Sequence, residues 1–165
     1  MEKIFTQSLY EFDLAKGEKI IGVDEVGRGP LAGPVVAAAT LLKKYDASLE
    51  EIQDSKKLTE KKREALFSMI PNYFYVGIGR ASVEEIEAYN ILNATFLAMR
   101  RAIAQLEEQI SIADASILVD GNFKIRECQR KQEAIVKGDA KSLSIATASI
   151  MAKVTRDHEL LELAK

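Results

Sequence analysis

Apolar positions fall into two patterns along this chain, short β-branched runs and longer stretches with helical spacing, separated by glycine and proline. Residues 19–26 (KIIGVDEV) are short, β-branched and halted by Gly27, which predicts a strand. Residues 34–42 (PVVAAATLL) predict a second strand that opens at a proline. Thr59 opens a predicted helix that runs through Met69 and is ended by Pro71. Residues 73–79 (YFYVGIG) predict a third strand, and Ser82 with Glu85 three residues later forms a capping-box signal. Over residues 91–110, Leu92, Phe96, Met99, Ile103, Leu106 and Ile110 step by four and three, which is one face of a helix. Residues 116–120 (SILVD) predict a short buried strand ending on a carboxylate, and residues 133–136 a further strand before Lys137-Gly138-Asp139. From residue 140 to 165 the chain reads mostly as helix, with Ala146, Ala148 and Ala152 small enough to let it lie close to a sheet. The first seventeen residues read as an arm or short helix. This order predicts one α/β domain over residues 1–165, a mixed central sheet flanked by helices.

Composition narrows the class without naming a function. At 165 residues, 47% hydrophobic and 29% charged, the chain can bury the core of one soluble globular domain. No stretch approaches the roughly 20 apolar residues of a membrane span, and the start lacks a secretory pattern. A single cysteine, Cys128, excludes an internal disulfide and fits a reducing cytoplasm, the expected location. A net charge of -2 excludes a globally basic nucleic-acid binder, so phosphate would have to be met locally. Lys56, Lys57, Lys61, Lys62 and Arg63 form one such group, and Lys124, Arg126, Arg130, Lys131, Lys137 and Lys141 another. Taken alone, either group reads as a solvated face.

The chemistry gathers at predicted strand ends. Asp24-Glu25, Asp120 and Asp139 each lie beside glycine, and carboxylates so placed face the crevice where open α/β sheets bind ligands. A single aspartate there is ordinarily a turn former; three such sites in one short domain shift the balance. Four converging carboxylates repel one another unless a cation intervenes, and oxygen-only ligands select hard ions such as Mg2+ or Mn2+ over zinc. Two such ions about 3.5–4 Å apart can activate water and stabilise a leaving oxygen at a phosphodiester. Asp24 and Glu25 are adjacent, and on a regular strand they would point to opposite faces. Either the strand twists or ends at Gly27, or the two contribute differently. The glycine loop that follows, residues 27–34 (GRGPLAGP), has the wrong spacing and context for a dinucleotide loop, since it leads into a strand. It reads either as a tight turn or as backbone able to approach a ligand closely, where it could bond a ribose 2'-hydroxyl while Arg28 meets a phosphate.

Residues 22–39, GVDEVGRGPLAGPVVAAA, resemble the signature of bacterial ribonuclease HII. Further stretches similar to that family follow in its order: DSKKL at 54–58, YNILNAT at 89–95, LVDG at 118–121, KGDAKS at 137–142 and ASIMAKVTRD at 148–157. The resemblance implies a ribonuclease H-like fold and endonucleolytic hydrolysis of RNA in RNA–DNA hybrids, with Mn2+ or Mg2+ as cofactor. It also implies cutting on the 5' side of ribonucleotides embedded in duplex DNA, leaving a 3'-hydroxyl and a 5'-phosphate, by a monomer. Carried over by motif, Asp24, Glu25, Asp120 and Asp139 are the catalytic metal ligands. Gly27, Arg28 and Gly29 sense the 2'-hydroxyl, and Ser55 and Lys56 hold a backbone phosphate. The arginine of Gly-Arg-Gly and the short N-terminus resemble ribonuclease HII more than its sister HIII. Family members usually continue past the last helix into a tyrosine- and glycine-rich segment. A chain ending at Lys165 is therefore expected to keep metal binding and to recognise the RNA–DNA junction less well. The alternative is a truncated core that binds hybrids without efficient cleavage.

The remaining chemical residues take structural readings. His158, the one histidine, is expected at the surface, and Cys128 has no sequence neighbour to activate it. Asp157 is expected to pair with Lys153 or Arg156, and Tyr73, Phe74 and Tyr75 to pack in a strand.

Overall fold

The computed structural model describes residues 8–29, 33–53 and 55–165, the side chain of Ser55 excepted. A short helix, α1 (Leu9–Lys16), precedes β1 (Ile20–Val26) and β2 (Val35–Leu42). Two 3-10 turns lead to α2 (Glu60–Met69), capped by the Thr59 side chain, and then to β3 (Phe74–Ala81). The Ser82–Glu85 capping box opens α3 (Val83–Tyr89), and Asn90 caps the long α4 (Ile91–Gln109). β4 (Ser116–Asp120), β5 (Gln132–Ile135) and α5 (Leu143–Leu163) complete the order.

The five strands form one mixed sheet, β3-β2-β1-β4-β5. β1 runs antiparallel to β2 along its length and parallel to β4, and β4 runs parallel to β5. Alternation along the strands divides the core between two faces. Ile21 and Val23 of β1, and Ile117 and Val119 of β4, pack with Ala98, Met99 and Leu106 of α4. Ile20 and Leu118 point the other way, onto Ile145 of α5. The helical stripe read in α4 is thus its buried face.

Helix α5 lies very close to β1. A β-carbon at Gly22 would stand 2.1 Å from the Ser144 carbonyl carbon, so only glycine allows this approach. Residues Ala146, Ala148 and Ala152 are fully buried on the same helix, as their size predicts. The third strand begins at Phe74, not Tyr73, and continues to Ala81 because β2 pairs with it as far as Val35↔Ala81. Among the described residues no helix is long and apolar enough to cross a membrane.

Candidate active site

Strand alternation puts Asp24 and Asp120 on one face. Asp24 follows Gly22 and Asp120 follows Leu118, so both point to the side covered by α5. Parallel pairing of β1 with β4 ends at Val23↔Val119, one residue short of both aspartates. Beyond that pair β1 continues beside β2 alone, and the sheet opens into a crevice at the carboxyl ends of the two parallel strands.

That opening resolves the problem of adjacent carboxylates. Asp24 and Glu25 both line one cavity of about 380 Å³, together with Asp120, Asp139, Lys56, Arg63, Ser149 and Lys153. Glu25 is still paired with Ala37 of β2, but with no strand on its β4 side at this point it also lines the cavity. Asp139 arrives by a different route from the one its strand-end reading predicts. β5 stops at Ile135, Lys137 takes the left-handed conformation (φ 55°, ψ 41°), and Asp139 sits in the 3-10 turn Gly138–Ala140. Its backbone N–H donates to Asp120 Oδ1 at 3.2 Å, which ties the two acidic positions together.

The electrostatics are those of crowded anions. Asp24 is only 5% exposed, and burial holds its pKa well above the ordinary carboxylate range. The charges of Glu25, Asp120 and Asp139 push it further in the same direction. Burial also raises Glu25, opposed by the Arg28 guanidinium 3.9 Å away and reinforced by Asp120. Asp24 Oδ1 accepts the Glu25 N–H at 2.8 Å, so one oxygen on each aspartate of the strand pair is turned to backbone. In these orientations, among the described residues, no three acidic, imidazole or thiol side chains stand so as to hold one ion. The donor set nevertheless suits a hard divalent cation: buried, oxygen-only and mutually repulsive.

The glycine loop follows directly on Val26, the last strand residue to line this cavity. Gly27 has φ +99°, and a β-carbon there would stand 2.7 Å from both Arg156 Nε and the Pro34 carbonyl oxygen. At Gly29, among the described residues, nothing stands within 4 Å of where a side chain would begin. Residues 30–32 of the loop and Asp54 of the DSKKL stretch lie outside the described residues. Ser55 opens a 3-10 turn through Lys57, and its side chain also lies outside the description.

Comparison with known proteins fits this geometry. Residues 21–165 match the family model described as Ribonuclease HII. The chain belongs to the ribonuclease HII family. A ribonuclease HII of Fusobacterium nucleatum is 59% identical over 164 residues, covering 99% of this chain and 76% of that protein. Among solved structures, the ribonuclease H2 of Pyrococcus horikoshii aligns with a TM-score of 0.71 and 31% identity, covering 88% of this chain and 75% of its own. Bst-RNase HIII, solved in complex with Mn2+, aligns at a TM-score of 0.73 and 22% identity, and this chain covers 54% of it; that likeness speaks to the fold alone. The ribonuclease H-like α/β fold expected from the sequence is therefore the one found, and by family the chain is a ribonuclease H enzyme.

Three polar residues that line the crevice carry no role in the motif reading of this ribonuclease HII chain: Arg63, Ser149 and Lys153. Ser149 and Lys153 are four apart on α5, and Arg156 is three further on, so helical spacing alone puts them on one face. Lys153 Nζ also meets Asp157 at 3.2 Å, the pairing expected for that aspartate. His158 is at the surface, 2.8 Å from Glu64, as expected. Phe74 packs in the core, as expected of the central residue of the Tyr73–Tyr75 trio.

Proposed function

We propose that this ribonuclease HII chain is an endonuclease that hydrolyses the RNA strand of RNA–DNA hybrids and cuts 5' of ribonucleotides embedded in duplex DNA. The observation that carries the reading is the meeting of Asp24, Glu25, Asp120 and Asp139 in one crevice, with a glycine loop following directly on that strand. These four carboxylates would hold Mg2+ or Mn2+, the hard divalent ions that an all-oxygen donor set selects. When bound, such ions activate water and stabilise the developing charge on a leaving oxygen. Small rotations of the Asp24 and Asp120 side chains away from their backbone donors would turn all four carboxylates inward.

The chain's own residues do the rest. Hydrolysis adds water across the bond between phosphorus and the 3' oxygen; that oxygen leaves with a proton as a 3'-hydroxyl, and the phosphate stays on the 5' side of the ribonucleotide. Lys153 and Arg63, with Lys56, supply positive charge around the crevice and orient the phosphate backbone. Ser55, beside Lys56, assists in holding a neighbouring phosphate. Gly27, Arg28 and Gly29 bring backbone groups against the sugar, where a 2'-hydroxyl distinguishes RNA from DNA. Arg28 has a second task, because its position near Glu25 links the loop to the acidic cluster. The enzyme works as a cytoplasmic monomer on this reading.

The test is direct. The chain is incubated with Mn2+ or Mg2+ and a duplex carrying one ribonucleotide, and the products are mapped. A nick on the 5' side of that ribonucleotide, with a 3'-hydroxyl end, is the expected result. Tight binding without a nick would leave only a hybrid-binding core, and neither binding nor cutting would end the reading.

A further inference from the structure

Arg156 stands under the glycine loop without having been assigned any part in the reaction. It is 6% exposed and is the last buried residue along α5. Its Nε donates to the Pro34 carbonyl oxygen at 3.0 Å. A β-carbon at Gly27 would lie 2.7 Å from that Nε, and one at Gly33 would lie 3.3 Å from Nη2. The planar guanidinium thus underlies both described ends of the loop, each of which has a positive φ, +99° at Gly27 and +128° at Gly33.

Packing alone does not account for an arginine here. Nη2 is buried and, among the described residues, has no hydrogen-bond partner. A guanidinium stays charged, and leaving one of its donors buried and unmatched destabilises the fold. An unbranched apolar side chain would fill much the same space with no such penalty. What arginine adds is a donor for the Pro34 carbonyl oxygen on a flat, rigid group that packs against Gly27 and Gly33 at the same time.

We infer that Arg156 is a positioning residue that fixes the two ends of the glycine loop and so sets how sharply the loop distinguishes ribose from deoxyribose. Arg156 touches no substrate, since its guanidinium is beneath the loop; it acts through Gly27 and Pro34. The inference rests on the reading of Gly27, Arg28 and Gly29 as the sugar-sensing segment. It extends that reading to α5, which also presents Ser149 and Lys153 to the acidic crevice.

Two variants test it, R156M and R156K, each in the full chain. Binding is compared by fluorescence anisotropy in an Asp24→Asn background, using a duplex with one ribonucleotide and an all-DNA duplex of the same sequence. R156M is expected to lower the ratio of the two affinities at least fivefold, with less than a twofold change for the all-DNA duplex. R156K can reach the Pro34 oxygen but lacks the flat guanidinium that packs against Gly27 and Gly33, and is expected to lower the ratio about threefold. Hydrogen exchange supplies a readout that a merely structural role would not move. The amides of Gly27, Arg28 and Gly29 should exchange at least tenfold faster in either variant, while those of α5 stay protected.

An unchanged ratio with unchanged loop exchange in a folded R156K protein overturns the inference, whether or not R156M folds. Faster exchange throughout α5, equal to that in the loop, overturns it as well. If the Arg156 parent itself shows no preference for the ribonucleotide, the sugar-sensing reading fails. The loop exchange then still decides whether Arg156 holds the loop.

Discussion

Asp24 is held in the fold against its own electrostatics. Its side chain is buried, three further carboxylates act on it, and its pKa is raised well above the ordinary value by burial first and by those charges second. Replacing it with asparagine removes the buried charge and keeps the shape. In protein without added divalent ion, Asp24→Asn is therefore expected to raise stability by about 1 kcal/mol, or about 2–4 °C in Tm at this chain length. The same variant should lose the rise in Tm that Mn2+ gives the wild type, along with cleavage. Calorimetry with and without Mn2+ checks both, and an Asp24→Asn protein still stabilised by Mn2+ to the wild-type extent would remove Asp24 from the ion site. Two glycines of the loop make a complementary pair. Gly27→Ala imposes a side chain at φ +99° against Arg156 and the Pro34 carbonyl, and should destabilise by at least about 1–2 kcal/mol. Gly29→Ala meets nothing within 4 Å among the described residues and should change stability by less than about 0.5 kcal/mol while weakening the preference for ribonucleotide. Thermal unfolding beside duplex affinity separates the two; equal losses of stability would contradict that difference between the two sites.

At the scale of elements, α5 is the hub, and its start is held from outside. The Ser142 side chain caps the helix at the Ile145 N–H, and Asp13 of α1 accepts from the Ser144 N–H at 2.8 Å and from the Ser142 hydroxyl at 2.5 Å. Two of the helix's unpaired N–H groups are thus met by two different residues. Asp13→Ala would bury an unmatched N–H and an unmatched hydroxyl, and should cost about 2 kcal/mol, read as a fall of about 4–8 °C in Tm. A change below about 1 °C would mean that α1 does not brace α5. Most of the elements were legible because their signals are local: SILVD is a strand by composition, and the Ser82–Glu85 box marks a helix start to the residue. The course of Asp139 was not, because a left-handed Lys137 and a 3-10 turn carry no hydrophobic period. Nor was the shared orientation of Asp24 and Glu25, which depends on where β4 stops pairing with β1, a fact of sheet register and not of either residue. The face formed by Ser149, Lys153 and Arg156 was available from spacing alone, but polar residues on a helix mean nothing until the partner surface is known.

For the whole molecule, the acidic crevice makes stability and ion binding depend on pH in opposite senses. Asp24, Glu25 and Asp13 all have folded-state pKa values raised by burial, so each contributes stability that is fully present below its unfolded value and is lost as pH rises through the folded value. Glu85, Asp46 and Asp114 have lowered values, Glu85 to about 2 under the Arg101 guanidinium. Their contributions are retained until pH falls below the unfolded carboxylate range, near about 4. As pH falls from 7 towards the unfolded carboxylate range, Asp24, the group raised well above its ordinary value, therefore gains while the second group has lost nothing, and Tm without added divalent ion should rise. A cation in the crevice reverses the preference of Asp24 and Glu25, because it favours their charged forms and releases protons on binding. The increment in Tm produced by Mn2+ or Mg2+ should therefore shrink from pH 7 to pH 5, over the same range in which the ion-free protein gains. Subtracting the Asp24→Asn profile removes what other groups add. A divalent-ion increment that stayed constant or grew on acidification would mean that the bound ion does not draw on these buried carboxylates, and the metal would have to be placed elsewhere on the fold.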